Sequence, residues 1–351
     1  MAVYTTIDDA GSYFNTILWT GNSPSTQALT GVGFQPDFVW VKKRSTAAEH
    51  CVTDAARGVT ETIFPSSTAL EATRAGGLTA FGADGFTVGA DGDFNGGAAT
   101  FVGWNWLGGT TSGITTDGST TITPSAYSFN QTSGFSVLSY TGNSTSGAKL
   151  AHGLGVAPEV VFIKNLGTLN DWVTYSKYVK STTPEDWVMR LNNTSIAVDD
   201  VTMWNDTQPD SVNITLGNAG NLNTGYSYIA YCFAPVKGYS KFGSYTGNGN
   251  ADGPFVYTGF RPAFVMLKDA DSVAAWRISD NKRLGYNVDN NDLEADSTAG
   301  EGTDDNLDIL SNGFKIRRSV GGLNSSGNVN IYMAFAEAPF VNSEGVPCDA
   351  R

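Results

Sequence analysis

Two patterns of apolar positions recur along this chain. In the first, a proline introduces a short unbroken apolar run that ends in charge: "GFQPDFVWVKK" from Gly33, "GVAPEVVFIKN" from Gly155 and "GFRPAFVMLKD" from Gly259. A short run apolar at consecutive positions predicts a strand covered on both faces, central in a sandwich. The proline cannot donate to a ladder, so it is expected ahead of the strand. The lysine that ends the run is expected where the strand leaves the interior. In the second pattern an aromatic-rich run closes each stretch: "TFVGWNW" from Thr100, "SYIAYCF" from Ser227 and "NIYMAFA" from Asn330. These also read as core strands. Within them Trp104, Tyr231 and Phe335 align, as do Gly103, Ala230 and Ala334. A further strand precedes each: "DGFTVG" at Asp84, "VNITLG" at Val212 and "NGFKIR" at Asn312. Helical periodicity is weak, and "TDAARGVTETIF" from Thr53 predicts one turn or a short helix.

The patterns belong to one repeat. An aromatic-T-G-N turn stands upstream of each proline: Trp19-Thr20-Gly21-Asn22, Tyr140-Thr141-Gly142-Asn143 and Tyr245-Thr246-Gly247-Asn248. From turn glycine to proline is 15, 16 and 15 residues, and from proline to the lysines Lys42, Lys164 and Lys268 is 6 each time. Eight residues further on stand His50, Trp172 and Trp276. The T-G-N glycines are expected at positive φ. "ADGDFNGG", "NAGNLNTG" and "VGGLNSSGN" read as hairpin tips. A period of roughly a hundred residues is long enough for an independent small domain. The predicted fold class is therefore all-β, with three tandem antiparallel β-sandwich, jelly-roll-like domains. The divisions are an N-terminal arm (1–12), repeat one (13–109), a Gly/Ser/Thr linker (110–128), repeat two (129–238), repeat three (239–341) and a C-terminal tail (342–351).

Composition narrows the function. The 351 residues are 40% apolar and only 16% charged, with 41 glycines. Formal charge is 21 − 34 = −13, which disfavours nucleic-acid backbones and anionic membranes as partners. No run approaches the ~18 apolar residues of a membrane helix, so no membrane insertion is expected. The first residues lack the pattern of a secretory signal. Cys51, Cys232 and Cys348 have no C-x-x-C spacing, which argues against a disulfide framework or zinc site and fits a reducing cytosol. The acidic stretch "DNNDLEADSTAGEGTDDNLD", Asp289 to Asp308, reads as a solvated loop.

Candidate chemistry is sparse. The two histidines, His50 and His152, have no metal-ligand spacing. His50 stands where the other repeats carry Trp, so a packed aromatic position explains it better than catalysis. "DGDFNG" opens like a calcium loop, with Asp91, Asp93 and Asn95 as its ligands, but Val102 occupies the twelfth position where a bidentate acid belongs. A hairpin turn is the plainer reading, with a weak calcium site beside it. Asp54 and Arg57 recur as Asp280 and Arg283, while repeat two has Ser176 and Val179; this reads as a structural ion pair beside a turn. Trp172 and Trp276 recur at one position and belong to the core. Trp187 and Trp204 lie in a stretch special to repeat two and are the better candidates for stacking on a sugar. No cofactor is expected, and no catalytic residue is assigned.

The T-G-N turn, "GFQPDFVWVKK", "DGFTVG" and the closing "APFVNSEGVPCDAR" resemble a repeated β domain of tailed, mostly marine, bacteriophages. Members look like "G-F-x-P-D-F-V-W-I-K", then "H-W-x-x-x-D-x-x-R-G", then "D-G-F-x-x-G". Gly33 to Lys42, His50, Asp54, Arg57, Gly58 and Asp84 to Phe86 match; Cys51 stands where the family often has Trp. The resemblance covers nearly the whole chain and implies a non-enzymatic virion structural protein, assembled in the bacterial cytoplasm. It would be a tail-fibre, tail-tip or head-decoration component with other virion proteins as partners and homo-oligomers as its form. The alternative is a module that recognises host-surface glycans. A polysaccharide-degrading enzyme would need two carboxylates converging on one cleft, and the repeats share no such pair.

Overall fold

The computed structural model describes residues 4–283, 291–319 and 321–348. The chain is all-β and its strand pairings are antiparallel. In repeat one, strands Phe14–Thr20, Thr100–Trp106, Phe38–Lys43 and His50–Asp54 form a sheet in that order. Repeat two builds the same order from Phe135–Thr141, Ser227–Phe233, Val160–Asn165 and Val173–Ser176, with extra strands at both edges. Repeat three uses Ser240–Thr246, Val329–Pro339, Phe260–Asp269 and Arg277–Asp280. The proline-led strand is thus interior to its sheet each time, as its unbroken apolar run requires. A smaller sheet accompanies each: Gln27–Thr30 with Gly85–Val88 and Leu78–Gly82, Ala148–Ala151 with Asn213–Leu216, and Phe255–Tyr257 with Gly313–Ile316 and Leu307–Leu310.

Strand register corrects the alignment of the closing runs. Thr20 pairs with Thr100, Thr141 with Ser227 and Thr246 with Val329. Phe38 pairs with Trp106, Val160 with Phe233 and Phe264 with Phe335. Trp104 therefore corresponds to Tyr231 and Met333, and Trp106 to Phe233 and Phe335. The sequence alignment slips by two residues in repeat three. A two-residue slip leaves every side chain on its own face, so the apolar pattern cannot detect it.

The corrected set has a geometric meaning. Ring centroids of Trp106, Phe233 and Phe335 lie 6.2 Å, 5.4 Å and 5.9 Å apart, pair by pair. One aromatic from each repeat closes a triangle, and the buried cluster around it draws on all three repeats, including Phe14, Phe38, Phe135, Phe162 and Phe264. Separate buried clusters lie between the two sheets of repeat one, around Val39, Val41 and Phe86, and of repeat two, around Val161, Ile163 and Ile214.

Local details differ from the sequence reading in three places. Pro36 and Pro158 precede their strands, but Pro262 lies inside Phe260–Asp269. The ladder shifts register on either side of it, which spares the missing N–H. The turn expected after Thr53 is present at 55–57, once the strand has ended at Asp54, whose carboxylate accepts from the N–H groups of Ala56 and Arg57. The three supposed hairpin tips are buried latches. Asn95, Asn223 and Asn324 are fully buried, and each accepts at Oδ1 from the backbone N–H of the T-G-N asparagine: Asn22, Asn143 and Asn248. The motif's aromatic donates to the carbonyl just before that asparagine, from Trp19 to Phe94, Tyr140 to Leu222 and Tyr245 to Leu323. Nor do the T-G-N glycines adopt positive φ. They are needed for close approach: a Cβ on Gly21, Gly142 or Gly247 would come within 2.1 Å, 2.1 Å and 2.2 Å of a backbone oxygen of the latch loop.

Candidate functional site

The chain's buried polar chemistry gathers where the repeats meet. The lysine that ends each proline-led strand does not leave the interior: Lys42, Lys164 and Lys268 are fully buried. Lys42 Nζ donates to Ala48 O at 2.6 Å and, in repeat three, to Thr298 O at 2.9 Å. Lys164 donates to Asn170 O at 2.6 Å and, in repeat one, to Thr68 O at 3.0 Å. Lys268 donates to Ala274 O at 2.7 Å and, in repeat two, to Thr194 O at 3.1 Å. Each lysine thus ties its own turn to a threonine of the neighbouring repeat. Burial in low dielectric disfavours the charge and pushes all three amines down to about 8.

The position eight residues on repeats the same cycle. Trp172 Nε1 donates to Phe64 O at 2.9 Å and Trp276 Nε1 to Arg190 O at 2.8 Å. His50 Nε2 meets Glu294 O at 2.9 Å. Trp40 Nε1 donates to His50 Nδ1, so the ring proton sits on Nε2 and points at that carbonyl. Burial holds His50 well below its usual pKa and keeps it neutral. A packed aromatic position, with a histidine filling the tryptophan's hydrogen-bonding part, is what this geometry describes.

The recurrent acid–base pair forms the deepest contact. Arg57 binds Asp54 at 2.7 Å and Arg283 binds Asp280 at 2.6 Å, with the Asp280–Arg283 pair fully buried. The same carboxylate oxygen accepts from the next repeat: Tyr231 Oη on Asp54 at 2.6 Å, and Trp104 Nε1 on Asp280 at 2.9 Å. Arg283 also lies over the Trp104 ring, 5.6 Å from its centroid. The pair is therefore more than a local turn device. At the third seam the corresponding residues are Met333, Ser176 and Val179, and these three supply no carboxylate, no guanidinium and no donor from the Met333 side.

The acidic stretch is likewise drawn into contacts, although Asp289 and Asn290 lie outside the described residues. Asp292 and Glu294 pair with Arg277. Glu301 takes a bidentate bond from Arg44 of repeat one, at 3.0 and 2.8 Å, and a second from Arg283 at 3.2 Å. This part of the stretch fastens a seam and is not simply solvated.

The candidate ligand residues fare unequally. Trp204 is 1% exposed, packs edge-on to Tyr175, and gives its N–H to Trp187 O. Burial removes it as a sugar contact. Trp187 is partly exposed, and its indole N–H has no hydrogen-bond partner among the described residues. It lies in a cleft of about 600 Å³ at the seam between repeats two and three, with Lys177, Lys180, Asp186, Asp199 and Thr246. Lys180 sits 4.7 Å above its ring and pairs with Asp271. Asp91, Asp93 and Asn95 are on one short helical turn, Gly92–Asn95, and its cap. Arg74 pairs with both carboxylates, and Asn95 Oδ1 accepts from the Asn22 N–H while its amide donates to Asn22, Ser25 and Gly89. These partners spend the atoms that a cation would need. No group of three or more metal-ligating side chains occurs among the described residues, and no helix there is long and apolar enough to cross a membrane. Cys51 and Cys232 are buried free thiols, and Cys348 is an exposed one.

The seam residues were half legible. The lysines, His50/Trp172/Trp276 and the Asp–Arg pairs stand out by repetition. Thr68, Thr194 and Thr298 were missed, although each stands four residues after the carbonyl that accepts from the aromatic position.

Fold and seams together define an all-β protein whose three homologous units interlock in a cycle. The chain belongs to the family described as a domain of unknown function, DUF7483, which it matches over residues 9–339, through all three repeats. None of the curated proteins matches it.

Proposed function

We propose that this protein is a non-enzymatic structural component of a bacteriophage particle, a tail-fibre, tail-tip or head-decoration element that presents its repeats outward. Three tandem sandwich units of jelly-roll-like form, bounded as the repeats suggest, are part of the proposal. So are homo-oligomers, other virion proteins as partners, and assembly in the host cytoplasm. The repeat motifs that resemble phage β domains support the source. One observation carries the structural role: buried lysines, carboxylates and indoles are spent on bonds between repeats and do not converge on a cleft. That investment yields a fused, stiff body. Immunogold electron microscopy of purified particles tests it. Label on the tail or spread over the head supports the proposal and assigns the position; particles without label reject it.

A second reading, recognition of a host-surface glycan, rests on Trp187. Its partly exposed indole lies among carboxylates, lysines and hydroxyls in the large seam cleft. An aromatic face with polar neighbours suits a sugar. Glycan-array binding that is lost in Trp187→Ala supports this reading; an array without hits sinks it.

A further inference from the structure

A second cleft, of about 460 Å³, lies where the N-terminal arm meets the connector between repeats two and three and the end of the last strand. Tyr4, Lys237, Lys241, Tyr257 and Phe340 are among its walls, and no Asp or Glu among the described residues lines it. In a chain of net charge −13 such a lining is selective. Tyr4 and Tyr257 are 48% and 52% exposed. Lys237 lies 5.6 Å from the Tyr4 ring and Lys241 lies 5.3 Å from the Tyr257 ring. The arm's wall is seated: Thr5, next to Tyr4, is buried against Gly238, where a Cβ would stand 2.6 Å from the Thr5 side chain.

Lys241 Nζ donates to Tyr257 O at 2.7 Å and pairs with no carboxylate among the described residues. Partial burial, uncompensated by an acid, lowers its pKa. The two aliphatic hydroxyls of the lining face inward, Ser240 to Ala234 O and Thr258 to Phe260 O, leaving only the phenols of Tyr4 and Tyr257. A hydroxyl-rich ligand would find few partners here, whereas an apolar ring with one anionic group would find both. We propose that this cleft binds a small aromatic carboxylate, its ring against the exposed tyrosines and its acid on Lys241. The volume lies in the range of about 300–1,000 Å³ usual for small-molecule sites, and a charge-assisted bond to the ammonium would orient the acid.

The test is calorimetric titration of the full chain with 2-naphthoate and with its neutral counterpart 2-naphthamide. The acid is expected to bind about tenfold or more tightly than the amide, the effect of one charge-assisted hydrogen bond. Lys241→Gln should erase that preference, Lys241→Arg should keep it, and Tyr257→Ala, at a half-exposed position, should weaken acid and amide together. Equal affinity for acid and amide, no binding of either, or binding of glucuronate in place of naphthoate would each overturn the proposal.

Discussion

The seam between repeats one and three differs from that between repeats three and two in a way that isolates one interaction. Both have the lysine bond to a threonine carbonyl and the ring N–H bond to a backbone carbonyl. Only the first has the buried carboxylate that gathers an arginine and the neighbour's indole. At the other, Met333 and Tyr332 face Val160, Phe162 and Thr174 across a small apolar gap. The Thr174 hydroxyl there is buried without a partner, and the cleft holding Trp187 opens beside it. Two of the three seams carry a buried carboxylate lock; the third keeps the lysine and indole bonds and adds the Lys180–Asp271 pair, but has an apolar contact where the lock would be. Donor and acceptor are lost together, which is physically required: a buried Asp without its partners would carry an uncompensated charge.

The largest expected effect breaks a lock. Asp280→Ala takes the closer carboxylate from Arg283, leaving it the longer bond to Glu301, and strands the Trp104 N–H; it should cost about 3 kcal/mol. Ser176→Ala at the unlocked seam should cost about 1 kcal/mol or less. Urea titrations compare them, and equal losses would show that the seams do not differ as argued. The next test builds the missing lock. Ser176→Asp, Val179→Arg and Met333→Tyr should each destabilise alone, yet the triple variant should recover a coupling energy of about 1–3 kcal/mol. Additive losses would mean that the third seam cannot accept the geometry.

Smaller effects sharpen the shared contacts. Lys164→Met leaves Thr68 O and Asn170 O without their donor, at a cost of about 1–3 kcal/mol, and Lys268→Met should behave alike because the bond exists at every seam. A lysine indifferent to replacement at either seam would remove it from the lock. The smallest effect concerns acid. His50 has a depressed folded pKa, so the unfolded chain takes up a proton below about pH 6.5 that the fold refuses. Stability contributed by the neutral ring is present above that pH and lost as pH falls. The loss is about 1.4 kcal/mol per pH unit for one proton. His50→Trp, which installs the residue of the other repeats, should flatten that part of the pH profile. An unchanged acid slope in thermal melts would exclude His50 as its source.

Repetition made the strands, turns and even the lock residues readable, because equal spacing is visible without knowing what it serves. The partners were not. Trp104 and Asp280 are 176 residues apart, Tyr231 and Asp54 are 177, and Lys42 and Thr298 are 256, so no local pattern connects them. Trp187 and Trp204 looked alike as residues special to repeat two. Only packing separated a buried hydrogen-bonded indole from one in a cleft.

From residue order alone come the all-β class, the threefold repetition and the central place of the proline-led strand. These follow from apolar period, turn chemistry and proline's missing N–H, all local properties. Tertiary structure alone decided that the lysines stay inside, that the turn glycines serve close approach, and that register places Met333 where Trp104 stands. Each of these depends on which distant backbone or carboxylate lies opposite, and a period-two pattern is blind to a slip of two.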